Sequence, residues 1–343
     1  MKLVSTVATI LMLVIAPLNS FLFTSKTFDV SNTDQISEQQ KENSGNVEGV
    51  ENDKHEIAIN SNPVSISTFQ PIKKETATNL AIPNAHSSLI MDVDTKKVLY
   101  ESEGNEQRQI ASLTKMMTAT LVMEKISDLE EDVTIDEDAV YTEGTRIGCP
   151  RSGYCISQRL KVGEKISVIN LLKAMLMNSA NDAATALGKH IGGSEEVFVD
   201  MMNKKAKDMG LKDTNFCTPS GLEPDGRESE CYSSAHDIGY IAAYSMKYDL
   251  IWDTMRLPNN TIVTSSDGTC SHTILNTDIV LNDIANCIGG KTGFTPLAGR
   301  SLLLAASDPT GKHKIVAVLL DDPYRWQDIK TMISWAFQSY EWR

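Results

Sequence analysis

The chain has 343 residues, of which 41% are hydrophobic and 22% charged, with a formal net charge of −13. That acidic balance excludes a protein that reads nucleic acid through a basic face, and the ordinary composition excludes a disordered chain. No internal repeat is present, and the six cysteines form neither a CxxC pair nor a cluster with histidine, which excludes a zinc ribbon.

No charge stands between Lys2 and Lys26, and residues 3–16 are almost wholly apolar. This predicts an export segment over residues 1–23, either a cleaved signal or a retained N-terminal membrane anchor. Export makes disulfides chemically reasonable. The cysteines fall at Cys149, Cys155, Cys217, Cys231, Cys270 and Cys287. Pairing of sequence neighbours is the expectation, best supported for Cys149 and Cys155, whose short loop holds Pro150 and Gly153; free thiols are the alternative. Residues 24–80 are rich in Ser, Asn, Thr, Glu, Gln and Lys, with Phe28 and Phe69 the only aromatics. Such a stretch cannot bury enough apolar surface to offset its ordering entropy, so it reads as a flexible linker. The folded domain is expected over 81–343.

Within that domain, residues 88–94 and 97–102 read as two strands around the Asp94-Thr95-Lys96 turn. A helical pattern opens at Ser112 and runs to about Lys125. Two more apolar helices, over 166–177 and 182–190, are interrupted at Asn178-Ser179-Ala180-Asn181. Helices over 194–209, closed by Gly210, and over 234–247 follow. Near the end, residues 288–295, 300–306 and 314–320 are strand-like, the last two joined by the turn signal Asp308-Pro309-Thr310-Gly311. A helix over 324–342 closes the chain. Strands at both ends with helices between predict an α/β class of the α+β type: one mainly antiparallel sheet flanked by helices, with a helical insert.

Three short motifs carry chemistry: Ser112-Leu-Thr-Lys115, Ser179-Ala-Asn181 and Lys291-Thr292-Gly293. S-x-x-K arises roughly once by chance in a chain of this length, and K-T-G in about one such chain in ten. Their weight lies in combination and order. Ser112 at the first turn of a helix reads as a simple cap when taken alone. Lys115, three residues on, brings its amine to the same face as the hydroxyl. A serine hydroxyl needs a nearby base, and a lysine serves once burial, a helix start and a second cation, Lys291, make its ammonium shed the proton. The helix start also turns the Ser112 N–H toward a reacting carbonyl as an oxyanion donor. Ser179 and Asn181 break two apolar helices, either as a plain polar turn or as cleft residues, with the Ser179 hydroxyl relaying a proton and the Asn181 amide holding a substrate backbone group. Lys291 and Thr292, after Gly289-Gly290, lie on a strand able to pair with an extended peptide and grip its carboxylate.

With these motifs, the blocks over residues 110–119, 170–184 and 290–299 and the pair Gly221-Leu222 resemble the serine D-alanyl-D-alanine carboxypeptidases of the low-molecular-mass, penicillin-binding class. The resemblance runs from Ala81 to the last helix. It implies a penicillin-binding/β-lactamase-like fold and an acyl-enzyme on Ser112 with Lys115 as base. It further implies Ser179 as proton relay, and Asn181, Lys291, Thr292, Gly293 and Phe294 as substrate-binding residues, the Phe294 N–H completing the oxyanion hole. The implied substrate is the peptidoglycan stem peptide, with β-lactams as inhibitors, and no metal or organic cofactor is implied. Two departures stand out. The β-rich second domain and C-terminal anchor of many relatives are not expected here, since the closing helix reaches Arg343, and residues 145–157 look like an insertion at the cleft mouth. A DD-endopeptidase or β-lactamase on the same fold is the enzymatic alternative, though no E-x-x-L-N-like segment lies between Ser179 and Lys291. An inactive wall-binding protein is the alternative of another class. Met116, Met117, Met175 and Met177 read as core, His236 as part of a helix start, and Arg300 as a surface arginine.

Overall fold

The computed structural model describes residues 69–149 and 154–343. The expected export segment, and the expected linker as far as residue 68, lie outside the described residues. In chain order the strands are β1 (Pro71–Lys73), β2 (Ser87–Asp92), β3 (Val98–Ser102), β4 (Asp132–Thr134), β5 (Lys165–Ser167), β6 (Thr261–Thr264), β7 (Ser271–Ile274), β8 (Cys287–Thr295), β9 (Gly299–Ser307), β10 (Lys314–Leu320) and β11 (Tyr340–Trp342). The helices are α1 (Lys115–Lys125), α2 (Glu137–Tyr141), α3 (Val168–Met177), α4 (Asn181–Gly192), α5 (Glu195–Asp208), α6 (Ala235–Ser245), α7 (Asp249–Met255) and α8 (Arg325–Ser339).

The central sheet has five antiparallel strands in the order β3-β2-β10-β9-β8. It is assembled from both ends of the domain, as the strand pattern predicts. β2, β9 and β10 are buried almost throughout, which explains their near-continuous apolar sequences: the sheet is covered on both faces. Side chains alternate between two cores because successive strand residues point to opposite faces. Leu89, Met91, Leu303, Ala305, Val316 and Val318 face the helical insert, together with Met116, Met117, Met175 and Met177. Ile90, Leu302, Leu304, Ile315, Ala317 and Leu319 face α8, whose Ile329, Met332, Ile333 and Ala336 recur at helical spacing. β8, the strand carrying Lys291, Thr292 and Gly293, is the sheet's edge on the side of the insert.

Three boundaries depart from the sequence expectation. Residues 71–73, expected in the linker, form β1, which pairs with β11. The helix expected to run to 342 therefore ends at Ser339, and Tyr340 to Trp342 extend as a strand. Side-chain contacts decide this: Tyr340 Oη donates to Leu99 O (2.7 Å), Trp342 Nε1 to Asp92 Oδ2 (2.7 Å), and Trp335 Nε1 to Thr78 O (2.9 Å). The helix expected from 166 starts two residues later because β5 pairs with β4.

The neighbour-pairing expectation for cysteine holds for two pairs and fails for the third. Cys149 is bonded to Cys155 and Cys217 to Cys231. Cys270 and Cys287 are buried free thiols. Cys287 lies on β8 and packs in the α8-side core, whereas Cys270 stands before β7, a strand of a separate hairpin. Among the described residues no helix is long and apolar enough to cross a membrane.

Candidate active site

Ser112 sits in a 3-10 turn, Ala111–Thr114, that leads directly into α1. The turn replaces the first α-helical turn expected from Ser112, because Ala111 adopts a left-handed φ of 48°. Lys115 opens α1 fully buried, and its Nζ donates to Ser112 Oγ at 2.8 Å. The same ammonium donates to Asn181 Oδ1 (2.7 Å) and Ser220 O (2.6 Å). Lys115 thus has three oxygen acceptors and no carboxylate among them.

The break between α3 and α4 places Ser179 and Asn181. Ser179 holds a φ of 57°, a conformation that costs a non-glycine residue about 1–3 kcal/mol and is kept only where surroundings enforce it. Its Oγ accepts from Lys291 Nζ at 2.9 Å. Both ends of the Asn181 amide are engaged within the protein, since Nδ2 donates to Glu143 O at 2.8 Å while Oδ1 receives Lys115. Its backbone N–H donates to Thr145 O (2.7 Å), so Asn181 ties the first motif to the 143–145 lip while lining the cavity, and its amide NH2 carries a second donor.

β8 brings the third motif. Lys291 is fully buried, and Thr292 Oγ1 donates to Thr277 Oγ1 at 2.7 Å. Gly290 leaves room for Asp278, whose Oδ2 would lie 2.2 Å from any Cβ added there. The motifs converge on one cavity of about 560 Å³, lined by Ser112, Ser179, Asn181, Thr292, Gly293 and Phe294. That volume suits a small peptide or drug-sized ligand. Lys115 and Lys291 lie behind Ser112 and Ser179, each within hydrogen-bond reach of its serine.

Burial lowers the Lys115 pKa well below the usual lysine value; the Lys291 charge adds to this and Asp182 opposes it. Burial also pulls Lys291 down to about 7, against the attraction of Asp278 and with help from Arg325. Lys291 is therefore able to exchange protons near neutrality, and Lys115 gives up its proton more readily than ordinary surface lysines do. The carboxyls that answer them are themselves pushed up by burial, Asp182 to about 7 and Asp278 to about 6.

Several site residues carry no motif signal. Ser220 contributes its carbonyl to Lys115, and only the neighbouring Gly221-Leu222 pair hints at the position. Thr277 and Arg325 line the cavity, Arg325 from the start of α8, with Nη1 donating to Gly293 O (3.1 Å) and Ser301 O (3.2 Å). Asp182 accepts from Ile147 N at 3.1 and 3.0 Å, which anchors the insertion next to the lip. Arg300 is exposed on β9, and His236 lies in the first turn of α6 beside Asp237, outside the cavity lining.

An edge strand with a buried lysine, a serine–lysine helix start and a serine–asparagine helix break thus meet in one cleft of an α+β sheet domain. The family model of D-alanyl-D-alanine carboxypeptidase matches residues 73–323, and the chain belongs to that family. The D-alanyl-D-alanine carboxypeptidase DacF of Bacillus subtilis is 33% identical over 264 residues, covering 75% of this chain and 63% of the relative. The chain thus spans less than two thirds of that relative's length. A D-alanyl-D-alanine carboxypeptidase structure from Mycobacterium tuberculosis superposes with a TM-score of 0.67 at 27% identity, covering 78% of this chain and 96% of the other. A penicillin-binding protein from Listeria monocytogenes in its ampicillin-bound form gives a TM-score of 0.63 at 28% identity, over 76% and 99% of the two chains.

Proposed function

We propose that this chain is a serine-type D-alanyl-D-alanine carboxypeptidase that removes the terminal D-alanine from peptidoglycan stem peptides. The observation that carries this reading is the 2.8 Å contact from a fully buried Lys115 to Ser112 Oγ, with no carboxylate among the hydrogen-bond acceptors of the ammonium. Neutral Lys115 takes the Ser112 proton as Oγ attacks the carbonyl of the penultimate D-alanine. The backbone N–H groups of Ser112 and Phe294 receive the oxyanion. As the tetrahedral intermediate collapses, Ser179 hands a proton to the departing amine and is resupplied through Lys291, 2.9 Å away. D-alanine leaves, an ester remains on Ser112, and water hydrolyses it with the proton returning through Lys115. Lys291 and Thr292 bind the terminal carboxylate, and Gly293 lets the peptide lie along β8. Asn181 holds Lys115 in place through Oδ1, and the second N–H of its amide binds a backbone carbonyl of the substrate.

β-Lactams mimic the scissile dipeptide, and the ampicillin-bound relative supports their acylation of Ser112 here. Two disulfides and relatives named as D-alanyl-D-alanine carboxypeptidases support action outside the cytoplasm, with residues 1–23 as signal or anchor and the segment before residue 69 as tether. The decisive experiment incubates the purified chain with a D-Ala-D-Ala peptide and, separately, with benzylpenicillin. Released D-alanine and a lasting penicillin adduct on Ser112, both lost in Ser112→Ala, are the expected results. Rapid penicillin turnover would make it a β-lactamase instead, and neither release nor adduct would leave a wall-binding protein.

A further inference from the structure

The Ser112–Lys115 pair is gripped from outside its own turn by one loop, residues 217–231, whose ends are joined by the Cys217–Cys231 disulfide. Near its start, Ser220 O accepts from Lys115 Nζ (2.6 Å) and Pro219 O from Thr118 Oγ1 (2.7 Å). Gly221 lies against the Ala111 carbonyl, where an added Cβ would come within 2.0 Å. Near its end, Glu228 O accepts from Gln109 Nε2 (3.0 Å). Ser233, two residues past the disulfide, exchanges backbone hydrogen bonds with Arg108 (2.8 and 2.9 Å). The segment therefore holds the chain on both sides of the nucleophile.

The disulfide stands at the back of that grip. Cys217 and Cys231 line a small cavity together with Ile110, Ala111 and Thr114, the residues around Ser112. Between the two cysteines the loop contains only a 3-10 turn at Glu228–Glu230, so little regular structure holds its shape. Just outside the bridge, Asn215 and Tyr232 exchange backbone hydrogen bonds (2.8 and 3.0 Å). That pair keeps the base of the loop closed when the sulfurs part, which confines the change to the loop and the serine turn. Both cysteines are half-buried, so a small dithiol reaches the bridge.

We propose that the Cys217–Cys231 disulfide is a positioning element of the catalytic pair and a redox switch on it: reduction loosens the loop, and Ser220 O no longer fixes Lys115 against Ser112. The dithiol supplies two electrons to the S–S bond and a proton to each sulfur, and itself closes to a disulfide. The proposal rests on the acyl-transfer reading and adds the element that keeps its base in register. The charged groups facing Lys115 are Lys291 on β8 and Asp182 on α4, and neither belongs to the loop. Loosening the loop therefore acts by admitting water to the ammonium, which then holds its proton more tightly.

The test follows benzylpenicillin adduct formation on Ser112 in the full chain, oxidised and in dithiothreitol, with thiols counted by mass after alkylation. Cys149→Ser/Cys155→Ser removes the other bridge, so its response to the dithiol belongs to Cys217–Cys231. On reduction the acylation rate constant is expected to fall about ten- to a hundredfold while the final amount of adduct stays complete. The acidic limb of the rate profile moves to higher pH, and reoxidation restores both rate and profile. Cys217→Ser/Cys231→Ser should match the reduced chain and ignore the dithiol; if it does not fold, the reduced chain decides. Less adduct at an unchanged rate constant would make the bridge a plain stabiliser and overturn the proposal. An unmoved rate, an unmoved pH profile, or a bridge that resists the dithiol in the folded chain overturns it as well, leaving acyl transfer standing. No adduct in the oxidised chain overturns the acyl-transfer reading itself, and the switch falls with it.

Discussion

Lys115 and Asn181 are joined by a 2.7 Å hydrogen bond that spans 66 positions of sequence. The amide oxygen is a neutral acceptor. It fixes the direction of the ammonium without supplying the negative charge that would hold its proton. Paired with an aspartate at the same place, Lys115 would stay charged and be useless as a base.

Replacing Lys115 by methionine keeps most of the stem's volume and removes the amine. The rate of benzylpenicillin adduct formation is expected to fall by about 10²–10⁴-fold, the usual contribution of a positioned base. Stopped-flow or mass-resolved acylation reads it directly, and a loss below tenfold would assign the base elsewhere.

The Lys291 pKa of about 7 makes substrate binding pH-dependent in a defined direction. A lysine with a lowered pKa carries its charge below that value and loses it above. The peptide carboxylate stays ionised throughout, so KM is expected to rise between about pH 6 and about pH 9 as the cation disappears. Lys291→Arg, permanently charged, should flatten the KM profile, whatever it does to kcat. A parent KM that is level over the same range would remove Lys291 from carboxylate binding.

Cysteine chemistry gives a direct check on the bonding pattern. The unreduced chain unfolded in denaturant should show two reactive thiols, Cys270 and Cys287, and the folded chain none, since both are buried. Opening Cys217–Cys231 by double replacement with serine releases a loop of 14 residues and should cost about 3 kcal/mol, read from the denaturant midpoint. Finding no free thiol would restore the third neighbour pair.

Gly221→Ala tests how tightly the serine turn is packed. Gly221 has a φ of 82°, and an added Cβ would lie 2.0 Å from Ala111 O, next to Ser112. The backbone conformation alone costs about 1–3 kcal/mol for a residue with a side chain. Displacing Ala111 should slow acylation as well, so both thermal stability and adduct rate are expected to drop. A variant with parental values for both would mean that the loop yields freely.

Apolar periodicity by itself locates the central strands and the long helices. It works because each of them buries a face, or two faces, over many residues: residues 314–320 are predicted and observed as one strand, β10. It misses β1 and β11, three residues each, since a pair so short has no period and exists only because Tyr340 and Trp342 find partners on β3 and β2. The motif serines and lysines are likewise visible as residue types in order. Their meeting is not: Lys291 reaches Ser179 across 112 positions only once the sheet has closed from both chain ends. Arg325 and Thr277 join the cleft, and the Ser220 carbonyl reaches Lys115, through that same closure, and none of the three carries a local signature. The chain's amino acids thus determine which groups are available for acyl transfer. Only the tertiary structure decides their proton affinities, because those depend on burial and on the distance between charges that are remote in sequence.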